Sequence, residues 1–319
     1  MDPEDKTVGN VLKDVNASLL KTSNSYTQYA ADTWTGELKE MSLGTMYKLQ
    51  ANEDGELQVI GTPVVSAETP IYVSKGWNWL GVATTATLSP AEAFGGLNPQ
   101  EGDLVKSQRE FSIYTENDWV GSLEAIVPGT GYLYSSEDAT PKSFTYPKAS
   151  SQGRKNAPRR VKANILEGSA IKLMENNMNV VLTVVDENGQ QRSDAIVRVS
   201  AKGQLRGEAF APNYGSEYFL TVQGKADDGE MQVSVQLDGI TYNVGTIFFQ
   251  QDALYGSIKQ PVVIVIGETT AINSIYAASH NSNGSVYDLG GRRVSSDKLS
   301  NGQFNKGIYI YDRQKVVKK

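Results

Sequence analysis

Cysteine is absent from this chain and histidine occurs once, at His280. The first absence excludes disulfides, thiol nucleophiles and thiolate metal sites, although it does not identify a compartment. The second removes the commonest general base and a frequent metal ligand at neutral pH, so most hydrolytic mechanisms lose their usual base. Long hydrophobic runs are missing as well. The most apolar stretch, Pro261 to Gly267, has the length and composition of a strand and falls short of the ~18 residues that span a bilayer, so no transmembrane segment is expected. Residues 1–20 are acidic and polar, without the basic start and apolar stretch of a signal peptide, which places any export signal upstream. A net charge of −6 and a pI near 5.1 argue against general attraction to nucleic acid or anionic lipid and indicate no polyanion partner. No Gly-x-Ser-x-Gly elbow, phosphate loop, dinucleotide fingerprint or His-Glu-x-x-His pair is present. The chain reads as non-enzymatic and without a cofactor.

What is plentiful is aromatic residues and glycine. Sixteen tyrosines and 30 glycines in 319 residues suit strand-rich modules with tight turns, and the length predicts two to four domains. At an offset of 85 the sequence aligns with itself: Lys21–Leu49 matches Lys106–Tyr134 without a gap, and 8 of the 29 pairs are identical. These are Lys21/Lys106, Tyr29/Tyr114, Trp34/Trp119, Gly36/Gly121, Leu38/Leu123, Gly44/Gly129, Thr45/Thr130 and Tyr47/Tyr132. Such residues set strand packing and turns, so the repeat describes a common fold before a common site. In the second copy Pro70 to Val82 reads as two strands around a Lys75-Gly76 turn, with Trp77 and Trp79 on one face. A short helix follows, marked by Ser89 as N-cap, Pro90 at the first helical position and Glu92 completing a capping box. The Trp-Asn-Trp portion of the first copy would fall before residue 1, so Met1 is expected to begin a truncated repeat.

Between Lys148 and Ala163 the composition turns basic and poor in apolar residues, which reads as an exposed linker. Residues 164–270 alternate apolar and polar positions in short runs separated by Asn188-Gly189, Asp227-Asp228-Gly229 and Asp238-Gly239, the pattern of an antiparallel sandwich of six or more strands. Residues 271–319 carry three short strands among glycine turns. The expected organisation is therefore mainly β: a truncated first repeat (1–62), a second repeat with the GWNWLG segment (63–147), each with one short helix, the linker (148–163), the sandwich (164–270) and a short β tail (271–319).

The tail sequence Val286-Tyr287-Asp288-Leu289-Gly290-Gly291-Arg292-Arg293-Val294, followed by Lys306-Gly307-Ile308-Tyr309-Ile310 and Val316-Val317-Lys318-Lys319, resembles the C-terminal sorting domain of Bacteroidetes type IX secretion substrates. Order and spacing of the three elements match over the last 35 to 45 residues, with Tyr287, Asp288, Gly291, Arg292, Arg293, Lys306, Gly307 and Tyr309 carrying the motif. Met178–Asp186, Arg206–Ala209 and Tyr218–Val222, and the GWNWLG unit, look like β-modules that accompany such tails. The resemblance implies a secreted or cell-surface bacterial protein that meets the secretion machinery through its tail.

For function, the composition leaves binding. Trp34, Trp77, Trp79 and Trp119 are candidate ligand platforms, since exposed indoles stack on sugar rings; in a small module the same rings more often fill the core. A host or dietary glycan or a surface protein would be the partner. Glu101/Asp103, Glu116/Asp118 and Asp227/Asp228/Glu230 could be proposed as paired carboxylates, but all lie at expected turns and read as solvated acids. Asp227–Glu230 lacks the alternating oxygen ligands of a calcium loop. His280 reads as a loop residue. Two alternatives stand beside the adhesion or spacer reading: the non-catalytic C-terminal region of a larger secreted peptidase or glycan-degrading enzyme, and a carbohydrate-binding module.

Overall fold

The computed structural model describes residues 2–148 and 171–266 throughout, and beyond them four strands between residues 286 and 318. It is mainly β, as the patterning requires. The first repeat holds a one-turn helix, α1 (Val8–Val11), and strands β1 (Ala17–Lys21), β2 (Tyr26–Ala30), β3 (Thr33–Gly36) and β4 (Lys48–Ala51), in the sheet order β3-β2-β1-β4. The second adds β5 (Ile71–Val73), β6 (Gly76–Gly81), helix α2 (Pro90–Phe94), β7 (Leu104–Lys106), β8 (Phe111–Thr115), β9 (Asp118–Gly121), β10 (Gly131–Ser136) and β11 (Lys142–Phe144). Its main sheet has the order β6-β10-β7-β8-β9, while β5 pairs with β11. The strands on either side of Lys75-Gly76 thus belong to different sheets. The capping box on α2 is formed as read, Ser89 accepting from the Glu92 amide and Glu92 from that of Ser89.

The repeat is reproduced down to single hydrogen bonds. Tyr29 faces Trp34 across β2 and β3, and Tyr114 faces Trp119 across β8 and β9, with ring centroids 5.4 and 5.5 Å apart. Both hairpins turn through two left-handed residues, Ala31-Asp32 and Glu116-Asn117, the geometry whose twist matches the flanking strands. The hydroxyls of Tyr47 and Tyr132 accept from the amides of Ser42 and Val127. Gly36 and Gly121 are fixed by crowding. A Cβ on Gly36 would sit 2.4 Å from the Tyr26 carbonyl oxygen, and one on Gly121 would sit 2.3 Å from that of Phe111. The copies differ where the helix meets the tryptophan: the Phe94 and Trp119 ring centroids lie 5.8 Å apart, whereas α1 offers Gly9, on which an added Cβ would sit 3.9 Å from the Trp34 ring. The sheets join where the amide of Gly81 reaches the Gly44 carbonyl.

The sandwich comprises β12 (Asn176–Val185), β13 (Ile196–Ala201), β14 (Gln204–Ala209), β15 (Tyr218–Gly224), β16 (Glu230–Leu237), β17 (Ile240–Phe248), β18 (Leu254–Tyr255) and β19 (Val262–Val265). One sheet runs β15-β12-β18, with β19 also on β12; the other runs β14-β13-β16-β17. Pairing is antiparallel except on one edge of β12, where β18 and β19 run parallel to it. Strand β12 is buried along nearly its whole length, and its two-residue period explains why. Met178, Val180, Leu182 and Val184 face the sandwich core. Val181 faces the other way and joins Phe219 of β15 in a second cluster with Leu104, Phe111, Ile113 and Val120 of the second repeat. That repeat is therefore a third layer on the outside of the sandwich, with Phe111 and Phe219 5.2 Å apart. At about 1.5–3 kcal/mol per buried large apolar side chain, this interface can hold the layers together.

In the tail, β20 (Val286–Asp288), β21 (Arg293–Val294), β22 (Gly307–Tyr311) and β23 (Gln314–Lys318) form an antiparallel sheet in the order β21-β20-β22-β23. Among the described residues no helix is long and apolar enough to cross a membrane.

Candidate functional site

The four tryptophans do not assemble into one platform. Trp119 packs into the aromatic cluster of the second repeat, with Phe94, Tyr114 and Tyr134 around it, and its indole nitrogen is buried. Trp34 is half-buried against Tyr29. Trp77 and Trp79 project from β6, and each has a lysine over its ring: Lys106 Nζ lies 4.8 Å from the Trp77 centroid and Lys48 Nζ 5.0 Å from that of Trp79. Of the four, Trp77 is the most open, at 38%. The widest exposed aromatic surface belongs to tyrosines, Tyr26 and Tyr29 on β2 and Tyr72 on β5.

Two of the carboxylates read as solvated are buried anchors. Asp103 is 2% exposed and accepts from the Tyr134 hydroxyl at 2.6 Å and the amides of Gln100 and Glu137. Burial and this carboxylate push the Tyr134 phenol far above its usual range. Asp228 is 8% exposed and meets the Lys225 amide at 2.9 Å and Lys202 and Arg206 at 3.3 Å. Burial favours its neutral form, but those donors outweigh it and hold the carboxyl below the usual range. The turns were read correctly and the burial was not, because a tight turn needs acceptors for its inward amides. Glu101 remains exposed and paired with Lys259 at 2.8 Å. These acids are taken by amides, hydroxyls and cations of their own turns and of distant segments, and among the described residues no group of three or more acids converges to hold a metal.

A wide concavity lies where the first repeat, the second repeat and the sandwich meet. Its volume is about 1230 Å³, above the several hundred Å³ that suit a drug-sized molecule. Strand β4 borders it with all four residues from Lys48 to Ala51, and so does the extended segment Lys172–Glu175 leading into β12. Loops 107–109 and 129–131, residues of β14 and residues of the β15–β16 turn complete its lining. Four consecutive strand residues can border one space only if the edge of β4 faces it.

This cleft is basic although the protein is acidic. Lys21, Lys48, Arg109, Lys172, Lys202, Arg206 and Lys225 line it, against Glu175, Asp227 and Asp228. Within it Lys21 pairs with the Glu175 carboxylate, and Lys48 donates to the Glu175 carbonyl at 2.9 Å. Lys21 holds the Glu175 carboxyl below its usual range. Burial lowers the Lys48 ammonium, with Lys21 adding repulsion. Arg109, Lys172 and Lys225 are exposed and have no ion-pair partner among the described residues. The overall net charge conceals this segregation. The signal was faintly present in the repeat itself, because Lys48 stands where the second copy has Leu133.

Of the tail motif, Tyr287 and Asp288 fall in β20, Arg293 in β21, and Gly307 and Tyr309 in β22, with Tyr287 opposite both Arg293 and Ile310. Gly291, Arg292, Lys306 and His280 lie outside the described residues, as does the linker beyond Lys148. No protein-family model matches the chain, and no curated protein is significantly similar to it.

Proposed function

We propose that this chain is a non-catalytic binding segment of a secreted or cell-surface bacterial protein, and that the basic cleft holds a stretch of acidic polysaccharide. The cleft carries this reading: three cations with no ion-pair partner among the described residues border a space larger than a small-molecule pocket, in a protein of net charge −6. Arg109, Lys172 and Lys225 would meet carboxylate or sulfate groups spaced along a polymer, while the polar lining at Ser107, Gln108 and Thr130 offers hydrogen bonds to hydroxyls. Few aromatic rings line the cleft, which fits a charged glycan better than single-stranded nucleic acid, whose bases need stacking surfaces. The extracellular address rests on the likeness of the tail to type IX sorting domains, and with it the expectation that the tail meets the secretion machinery.

The test is isothermal titration of the purified chain with polygalacturonate, a neutral glucan and a single-stranded oligonucleotide at several salt concentrations. Binding to polygalacturonate alone, weakening with salt and lost in an Arg109→Ala/Lys172→Ala/Lys225→Ala variant, supports the reading. Equal binding of the glucan, unchanged by the triple substitution, removes it. Preference for the oligonucleotide moves the protein to another class.

The exposed Tyr26, Tyr29 and half-buried Trp34 favour a second reading, a neutral-glycan platform on the first repeat. In that case Tyr29→Ala and Trp34→Ala abolish glucan binding while the cleft substitutions leave it intact.

A further inference from the structure

Lys106 is fully buried where the second repeat meets the sandwich, and three groups surround its amine. Nζ lies 2.8 Å from the side-chain oxygen of Asn177 and 2.6 Å from a carboxylate oxygen of Asp252, with the Trp77 ring on a further side at 4.8 Å. The Asn177 main-chain oxygen is 3.4 Å away. An ion pair alone would leave the carboxamide no special part. Here Asn177 is clamped: its Nδ2 donates to the carbonyls of Ser107 and Gln108, both at 3.1 Å, which turns Oδ1 towards the lysine. Asp252 is held by a left-handed backbone with φ 59° and by its amide, which donates to the Asn177 carbonyl at 3.0 Å. A buried amine, a fixed carboxamide and an adjacent carboxylate are the nucleophile, electrophile and proton relay of an amide exchange.

We propose that Lys106 and Asn177 condense into an intramolecular isopeptide bond that ties the second repeat covalently to the sandwich, with Asp252 relaying the protons. The carboxylate of Asp252 takes one proton from the Lys106 ammonium, and the freed lone pair attacks Cγ of Asn177. Negative charge develops on Oδ1. The proton of the newly bonded nitrogen passes to Nδ2, the C–N bond to Nδ2 breaks, and ammonia leaves, taking the proton that Asp252 held to become ammonium. One ammonium plus one carboxamide give one secondary amide plus ammonium, with no oxidant or external reagent. Desolvation assists the first step, since burial lowers the Lys106 ammonium from its usual range. The first repeat supplies an internal control. Lys21 is the equivalent lysine, but it is partly exposed and meets the solvated carboxylate of Glu175, so the site there lacks both the carboxamide and the exclusion of water.

The test is denaturing mass spectrometry and tryptic mapping of the full chain. The expected result is a mass one ammonia below that of the sequence, no cleavage after Lys106, and a branched peptide joining Lys106 to Asn177. Asp252→Asn, checked for native circular dichroism, should retain the sequence mass, and Asn177→Asp should lose water in place of ammonia. A wild-type chain at full sequence mass, with Lys106 and Asn177 in separate linear peptides, overturns the proposal. So does an ammonia loss that maps to Asn188-Gly189. A cross-link that persists in folded Asp252→Asn overturns the assigned relay.

Discussion

Lys21 and Lys106 occupy the same position in the two repeats and reach the same stretch of the sandwich, Glu175 and Asn177, two residues apart. The repeat therefore conserves a docking function as well as a fold, and the copies use it under different dielectric conditions. An exposed pair contributes about 0–1 kcal/mol, whereas removing one partner of a buried pair costs about 3–5 kcal/mol. Lys106→Ala should accordingly destabilise the protein in urea by several kcal/mol more than Lys21→Ala. Equal effects would mean that the second lysine is not the structural bolt.

The shared glycines make a sharper comparison. At Gly121 an added methyl would meet the Phe111 carbonyl and the Ser112 Cα at 2.3 and 2.6 Å, and Gly36 is equally crowded. Neither site can relax without separating its hairpin. Gly121→Ala and Gly36→Ala should each cost about 2–4 kcal/mol, read from urea denaturation. A cost below that at either position would show that the hairpin opens more easily than its contacts imply.

Glu110 predicts a pH effect. Burial, with repulsion from Glu124 and against attraction from Arg109, raises its carboxyl to about 7. A raised folded-state value means that the folded protein holds the proton more tightly than the unfolded chain does. That contribution is complete below the unfolded value of 4.5 and is lost as pH rises through about 7. Glu110→Gln should therefore stabilise the protein at pH 8 by about 2 kcal/mol, after allowance for partial solvent screening, and by nothing measurable at pH 4. Thermal melts at the two pH values check this, and a pH-independent difference would refute it.

Trp34 and Trp119 should part company on truncation. Trp119→Ala removes a ring packed on Phe94, Tyr114 and Tyr134 and should cost about 3–5 kcal/mol. Trp34→Ala, beside Gly9 and the exposed Tyr29, should cost about 1–2 kcal/mol. Acrylamide quenching of single-tryptophan variants gives the matching optical readout, with Trp34 the more accessible.

The repeat, the capped helix at Ser89 and the hairpin at Asp238-Gly239 were legible because each rests on local rules: identity at a fixed offset, reciprocal capping, and left-handed turn residues. Strand β14 is hard to read from periodicity because Arg206 and Gly207 are buried within it, so its apolar alternation is broken although its Lys202-Gly203 turn is left-handed. The parallel pairing of β18 and β19 with β12 was hidden because periodicity gives a strand's faces and not its neighbour's direction. The cleft was hidden for a related reason. Its cations come from residues 21 to 225, and only the docking of both repeats beside the sandwich brings them together. The tryptophans were conspicuous by type, yet a ring's role depends on what covers it, and here lysines and other rings do.

Hydrogen–deuterium exchange with and without polygalacturonate tests most directly whether the basic cleft is the working surface. Protection should rise at Lys48–Ala51 and Lys172–Glu175 when the polymer is added at low salt, and return to the free value in the Arg109→Ala/Lys172→Ala/Lys225→Ala variant. Protection confined to Tyr26–Gly36, with the cleft segments unchanged, would contradict the account.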